Sequence, residues 1–132
     1  MNQNPSSTCP GTAIVKQWEQ KVNQGNLEEI TALYSLQASL LPTFSPDVKN
    51  HPTAIKEYFV NLTKKTHPGV TFETFTSQKT NSSTYIIYGL YTFFWEQDGQ
   101  RQEFPSRYTF IVDTSQEAPI QHHHSSQLPS PA

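Results

Sequence analysis

Residues 84–95 read TYIIYGLYTFFW, and this stretch decides the fold. It is dense in β-branched and aromatic residues, which suit a pleated, packed strand far better than a helix. Asp98-Gly99 follows at once, a dipeptide that favours the tight turn of a hairpin. Phe104 to Val112 then supplies the returning strand. Working outward, Val70 to Ser77 alternates as a strand upstream, and Asn81-Ser82-Ser83 marks the turn between. Ala118 to Ser126 reads as the last strand.

The central run has a second property. Ile86, Tyr88, Leu90 and Phe94 share one face, while Tyr85, Ile87, Tyr91, Phe93 and Trp95 share the other. A half-exposed antiparallel strand should alternate apolar with polar. Here both faces need cover. One packs on helices; the simplest cover for the other is a second copy, giving a homodimer through an aromatic face of the sheet. The alternative is a sheet curled enough to hide both faces by itself.

The helices lie earlier. The periodicity predicts one from about Thr12 to Gln24, with Thr12 as its N-cap and Ile14, Val15, Trp18 and Val22 on one face. Gly25 suits the left-handed stop. Asn26 and Glu29 have capping-box spacing for a second helix, whose stripe is Leu27, Ile30, Leu33 and Tyr34. Ser39 to Phe44, interrupted by Pro42, is a short strand. Pro52 opens a third helix with Ile55, Tyr58, Phe59 and Leu62 inward, ended by His67-Pro68-Gly69. Helices before a run of strands give an α+β layout, with the helices on one side of an antiparallel sheet.

Composition bounds the rest. A chain of 132 residues is one domain, here 12–127, with a polar, proline-bearing lead at 1–11 and a tail at 128–132. One cysteine, Cys9, forbids an internal disulfide framework. The net charge is −2, and no basic stripe for nucleic acid is present. No apolar run approaches a membrane span, and the polar start has no secretion-signal core, so a cytoplasmic location is expected. Charged residues are only 15%, whereas Ser and Thr number 28. The chain is polar in hydroxyls rather than in charges.

A bent sheet folded over three helices makes a cone open at one end, the default place for a site. Parity decides which polar groups point in. With Ile120 facing the core, His122, His124 and Ser126 share its side, and His123 and Ser125 face out. A bulge in this strand would reverse part of that. Arg107, Thr109 and Ile111 oppose Tyr108, Phe110 and Val112. Thr43 ends the short strand near the cone mouth, and Tyr58 lies on the inner stripe of the third helix. The triple histidine can be a tag remnant, a set of hydrogen-bonded sheet residues, or a pair of metal ligands. A zinc site needs three or four protein ligands, and no Cys and few carboxylates are near. The functional reading, beside these, is a hydroxyl-and-imidazole cluster that holds a water and a small oxyanion.

Arg107-Tyr108-Thr109-Phe110 and Ile120-Gln121-His122-His123-His124-Ser125-Ser126, with Leu41-Pro42-Thr43 and Ile55-Lys56-Glu57-Tyr58-Phe59 upstream, carry a resemblance. Over residues 12–128 the chain resembles the iota-class carbonic anhydrases. That family is in the NTF2-like (SnoaL-like) superfamily, beside the association domain of calcium/calmodulin-dependent protein kinase II. The resemblance implies a cone-shaped barrel of three helices on a strongly curved antiparallel sheet, a homodimer, and reversible hydration of carbon dioxide to bicarbonate. It implies a site that works without metal in cyanobacterial and algal members, zinc or manganese being the alternative cofactor. The family's Thr, Tyr, His and Ser carry over onto Thr43, Tyr58, His124 and Ser126 as the catalytic set. Thr43, Tyr58, Ser126 and Arg107 are the expected substrate contacts. His123 and Ser125 take over if a bulge shifts the strand. Ala118-Pro119 departs from the Trp common in relatives. Two rivals share the superfamily: a non-catalytic association or ligand-binding module, and an isomerase or cyclase with an inward Asp base. Asp47 and Asp98 fall in loops and Asp113 at a strand end, which weakens the latter.

Overall fold

Three helices, Pro10–Gln24 (α1), Leu27–Ala32 (α2) and Pro52–Thr63 (α3), accompany six strands joined in one sheet. The strands are Tyr34–Leu41 (β1), Thr66–Phe72 (β2), Thr76–Lys79 (β3), Thr84–Gln97 (β4), Gln100–Asp113 (β5) and Ile120–Gln127 (β6). This computed structural model describes residues 9–129, so most of the expected lead and the last residues of the tail lie outside the described residues. The sheet order is β1-β6-β5-β4-β2, with β3 also on β4. All pairings are antiparallel except β1 with β6, which is parallel.

Residues 84–95 behave as their composition demands. β4 and β5 pair over their full length, from Thr84↔Asp113 to Gln97↔Gln100. Asp98 and Gly99 close the hairpin with φ of 54° and 77°, the left-handed geometry of that turn. Gly89 is needed for another reason: a Cβ there would collide with the Thr74 carbonyl, which also accepts the Tyr108 hydroxyl at 2.7 Å.

Several boundaries move. α1 starts at Pro10, with Cys9 as its N-cap. Thr12 is therefore not the cap but an internal residue, fully buried, its hydroxyl without a partner among the described residues. Proline fits the first helical turn because its missing N–H is not needed there. Asn26 caps α2 as expected, accepting the Glu29 N–H at 3.2 Å. Leu33 and Tyr34 do not continue that helix. Tyr34 begins β1, because Ile120 on β6 draws the backbone into parallel pairing: its N–H donates to the Leu33 carbonyl at 2.8 Å. α3 opens at Pro52 and ends at Thr63, and His67-Pro68-Gly69 lies within β2 rather than terminating a helix. The stretch from Val70 to Ser77 divides into the ends of two strands.

The inner face of β4 is the more aromatic one. Tyr91, Phe93 and Trp95 pack inward with Ile87, and Trp18 of α1 sits among them, fully buried. Its indole stacks on Tyr91 at 5.8 Å and meets Phe59, Phe93 and Phe110 edge-on. The outer face carries Ile86, Tyr88, Leu90 and Phe94, with Tyr88 and Leu90 each 37% exposed. The inner face thus belongs to the core, and the outer face is the one on which the expected homodimer would rest. Among the described residues, no helix is long and apolar enough to cross a membrane.

Candidate functional site

The position of every polar side chain on β6 follows from one residue. Val112 pairs with Ile120, but Ile111 pairs with His122, so Gln121 is an extra residue on β6. The bulge reverses parity after Ile120. His123 (2% exposed) and Ser125 (5% exposed) face the core with Ile120. His124 is exposed and Ser126 half-exposed on the outer face, opposite to the parity reading that placed them inside. Arg107, paired with Ser126, is exposed on that outer face too. Arg107, His124 and Ser126 border a shallow outer-face hollow of about 80 Å³.

His123 sits at the centre of a buried polar chain. The Trp18 indole donates to Tyr34 Oη at 3.0 Å. Tyr34 Oη lies 2.8 Å from His123 Nδ1, and Tyr91 Oη lies 3.0 Å from His123 Nε2. The imidazole also stacks on Phe110 at 3.9 Å. Burial, with lesser contributions from His122 and His124, drives its proton affinity well below the ordinary histidine value, so it is neutral. Burial likewise pushes the Tyr34 and Tyr91 hydroxyls well above the usual phenol range, and both stay protonated. For Tyr91 the adjacent Ser125 hydroxyl offsets part of that effect.

Ser125 extends the chain to the turn after β1, where its hydroxyl touches that of Thr43. Tyr58 reaches the same region from α3. It is 8% exposed, and its hydroxyl is sealed from solvent with no hydrogen-bond partner in the described residues. Burial raises this hydroxyl's pKa as well, offset in part by the Phe44 backbone nearby. A buried hydroxyl whose hydrogen has no acceptor is costly. Two cavities flank the cluster. One, of about 310 Å³, is lined by Tyr58, Phe44, Trp95, Glu57 and Lys65, among others. The other, of about 200 Å³, is bordered by Ser125, Leu41, Pro42 and His124. Ser45 and Pro46 line both and divide them.

Tyr58 is therefore buried on the inner side of α3 and Thr43 half-buried in the turn after β1, while His124, Ser126 and Arg107 lie on the outer face. Tyr34, Tyr91 and Trp18, which the sequence reading assigned to packing, are hydrogen-bonded into the chain around His123. The only sequence signal for them was their aromatic type with a polar tip, which needs a partner when buried. The donor set does not fit zinc or manganese. His122 and His124 share a face, but His122 Nδ1 is bonded to the Ser39 hydroxyl at 2.7 Å and His123 faces the opposite way. No group of three or more His, Cys, Asp or Glu is gathered for a metal among the described residues.

Set against known proteins, residues 12–129 match the family model of the calcium/calmodulin dependent protein kinase II association domain. The chain belongs to that family. A solved structure from Xanthomonas campestris, described as such an association domain, is 27% identical, with a TM-score of 0.82 over 90% of this chain and 86% of that one. The fold is the NTF2-like one. A Streptomyces avermitilis protein described as a dehydratase of the NTF2-like family superposes with a TM-score of 0.80 at 9% identity, over 96% of this chain and all of that one. The epoxide hydrolase/cyclase-like enzyme SalBIII, of salinomycin pyran ring formation, gives 0.74 at 15% identity, over 93% and 94%. These two show shared fold alone. No functionally curated protein sequence matches the chain.

Proposed function

We propose that this association-domain relative hydrates carbon dioxide reversibly to bicarbonate at the Thr43–Ser125–Tyr58 cluster, without a metal. The observation that carries the reading is the contact between the Thr43 and Ser125 hydroxyls, two residues along β6 from a buried neutral histidine, with Tyr58 lining the neighbouring cavity. They are the Thr, Tyr, His and Ser types of the resemblance, with His123 and Ser125 in the inward places. The hydroxyls hold one water and one carbon dioxide molecule. The water oxygen bonds to carbon as one C=O π pair moves onto oxygen, and the proton leaves to solvent through the cavity mouth. The same hydroxyls then hold the new charge by hydrogen bonds, in a site with little water to compete. Without a metal to acidify the water, a modest rate is expected.

Stopped-flow hydration assays on chelator-treated protein test this. Activity that survives chelation and drops in Ser125→Ala supports it. Activity absent from the pure protein, or one restored only by a metal, defeats it.

The family match and the fold neighbours lend more to a broader second reading, an NTF2-like ligand-binding or enzymatic domain with another substrate. The specific observation is size. A cavity of about 310 Å³ is in the range of pockets that hold much larger molecules than carbon dioxide. A thermal-shift screen of small carboxylic acids, read beside Tyr58→Phe, separates the two readings. A homodimer through the outer face of β4, around Tyr88 and Leu90, belongs to both. Light scattering that gives a monomer would remove it, and large rings would favour an assembly role.

A further inference from the structure

The buried polar chain has a direction, and the direction bears on what His123 can do. An indole N–H donates and cannot accept. Trp18 Nε1 is bonded to Tyr34 Oη, so that oxygen is already accepting one hydrogen bond. Tyr34 has a single hydroxyl hydrogen, and its other partner is His123 Nδ1 at 2.8 Å. If Nδ1 carried a hydrogen, Tyr34 would accept twice and its own buried hydrogen would have no partner in the described residues. Tyr34 therefore donates, and Nδ1 is bare. A neutral imidazole has its one hydrogen on the other nitrogen. Nε2–H then donates to Tyr91 Oη at 3.0 Å. The Tyr91 hydrogen is then left for the neighbouring Ser125 hydroxyl, which meets Thr43.

We infer that Trp18 and Tyr34 are positioning residues that lock His123 in its Nε2–H form, so the chain ends by presenting a hydrogen, not a base, at Ser125 and Thr43. This deepens the reading of that site as one that holds a water oxygen and then a bicarbonate oxygen. His123 is not the group that takes the water's proton: its bare nitrogen is already occupied, and it faces away from the hydroxyl pair. Its part is to fix which way Tyr91 and Ser125 donate. An anion or the oxygen of a polar ligand is favoured at the chain's end, and a ligand that must donate there is disfavoured.

The experiment is a long-range ¹H–¹⁵N spectrum of the full chain labelled at histidine nitrogens, at neutral pH. The His123 ring should show a bare Nδ1 and a protonated Nε2. A protonated Nδ1, or a doubly protonated ring, overturns the inference without any variant being made. Trp18→Phe removes the donor that sets the direction, and should let both tautomers populate and lower hydration about tenfold. That is less than the ~10²-fold loss of a donor that touches the oxygen. Trp18 is fully buried, so Tyr34→Phe is the second variant, with the same expected loss of a fixed tautomer. Either variant folded and with the wild-type tautomer unchanged rejects its role. The acid limb of the wild-type rate profile should carry no His123 titration; one that does overturns the inference. Wild-type protein with the expected tautomer and no hydration activity would uphold the directed chain and sink only the carbon dioxide reading.

Discussion

Two pairs of residues on one strand, His123 with Ser125 and His124 with Ser126, have the same chemistry on paper and opposite fates. The inner pair is buried, with His123 held neutral and bonded at both ring nitrogens and Ser125 set against Thr43. The outer pair lies on the solvent face beside Arg107. Their separation teaches that side-chain type does not make a site; the face does, and a single inserted residue sets the face. Gln121 is that residue.

His123→Ala should break the comparison most completely. It would leave the Tyr34 and Tyr91 hydroxyls without their shared partner. The loss is expected to be on the order of 3–5 kcal/mol, as for a broken buried network, and denaturant melts would read it. A His123→Ala protein as stable as wild type would show that the inner imidazole holds nothing together. Next in size, Ser125→Ala should lower hydration about 10²-fold, while Ser126→Ala stays within about twofold. Equal effects of the two would erase the distinction between the inner and outer faces.

The pH dependence of stability sharpens it further. Burial lowers the folded-state pKa of His123, while the unfolded chain has the ordinary value of about 6.5. Below that value the unfolded state binds the extra proton, so stability should fall as pH drops from about 6.5, at up to ~1.4 kcal/mol per pH unit. His122, lowered chiefly by its own burial, acts in the same direction. Melting temperature between pH 7 and 5 measures this, and a flat profile would contradict a dehydrated His123. Tyr58→Phe should raise stability by about 1 kcal/mol, since it removes a sealed hydroxyl without a partner. It should at the same time reduce activity. Last, His124→Ala should change stability by no more than about 0.5 kcal/mol, as an exposed residue does.

Most of the architecture was legible because it rests on local patterns. The β4–β5 hairpin, the Asn26 cap and the proline start of α3 each follow from residues close in sequence. Tyr34 was misplaced because its local stripe continues a helix, while the partner that overrides it, Ile120, is far along the chain. The bulge at Gln121 was foreseeable as a possibility but not as a fact: nothing in Ile120-Gln121-His122 names the residue that will go unpaired. Hence the inward placement of Tyr58 was legible from its helix stripe, while that of His123 and Ser125 was open only as the alternative pair. The size of the Tyr58 cavity was not legible at all, since it depends on how the turn at Thr43–Pro46 packs on α3.

The parallel pairing of β1 with β6 has a consequence in time. Tyr34 and His123 are 89 residues apart, and Tyr91 and His123 are 32 apart. Contacts of such separation form late, since the long loops between them must close first. On the ribosome, α1, β1 and the β4–β5 hairpin emerge with Trp18, Tyr34 and Tyr91 waiting for an imidazole not yet made. The last strand is thus a keystone: a nascent chain has no site until it is complete enough to be folded.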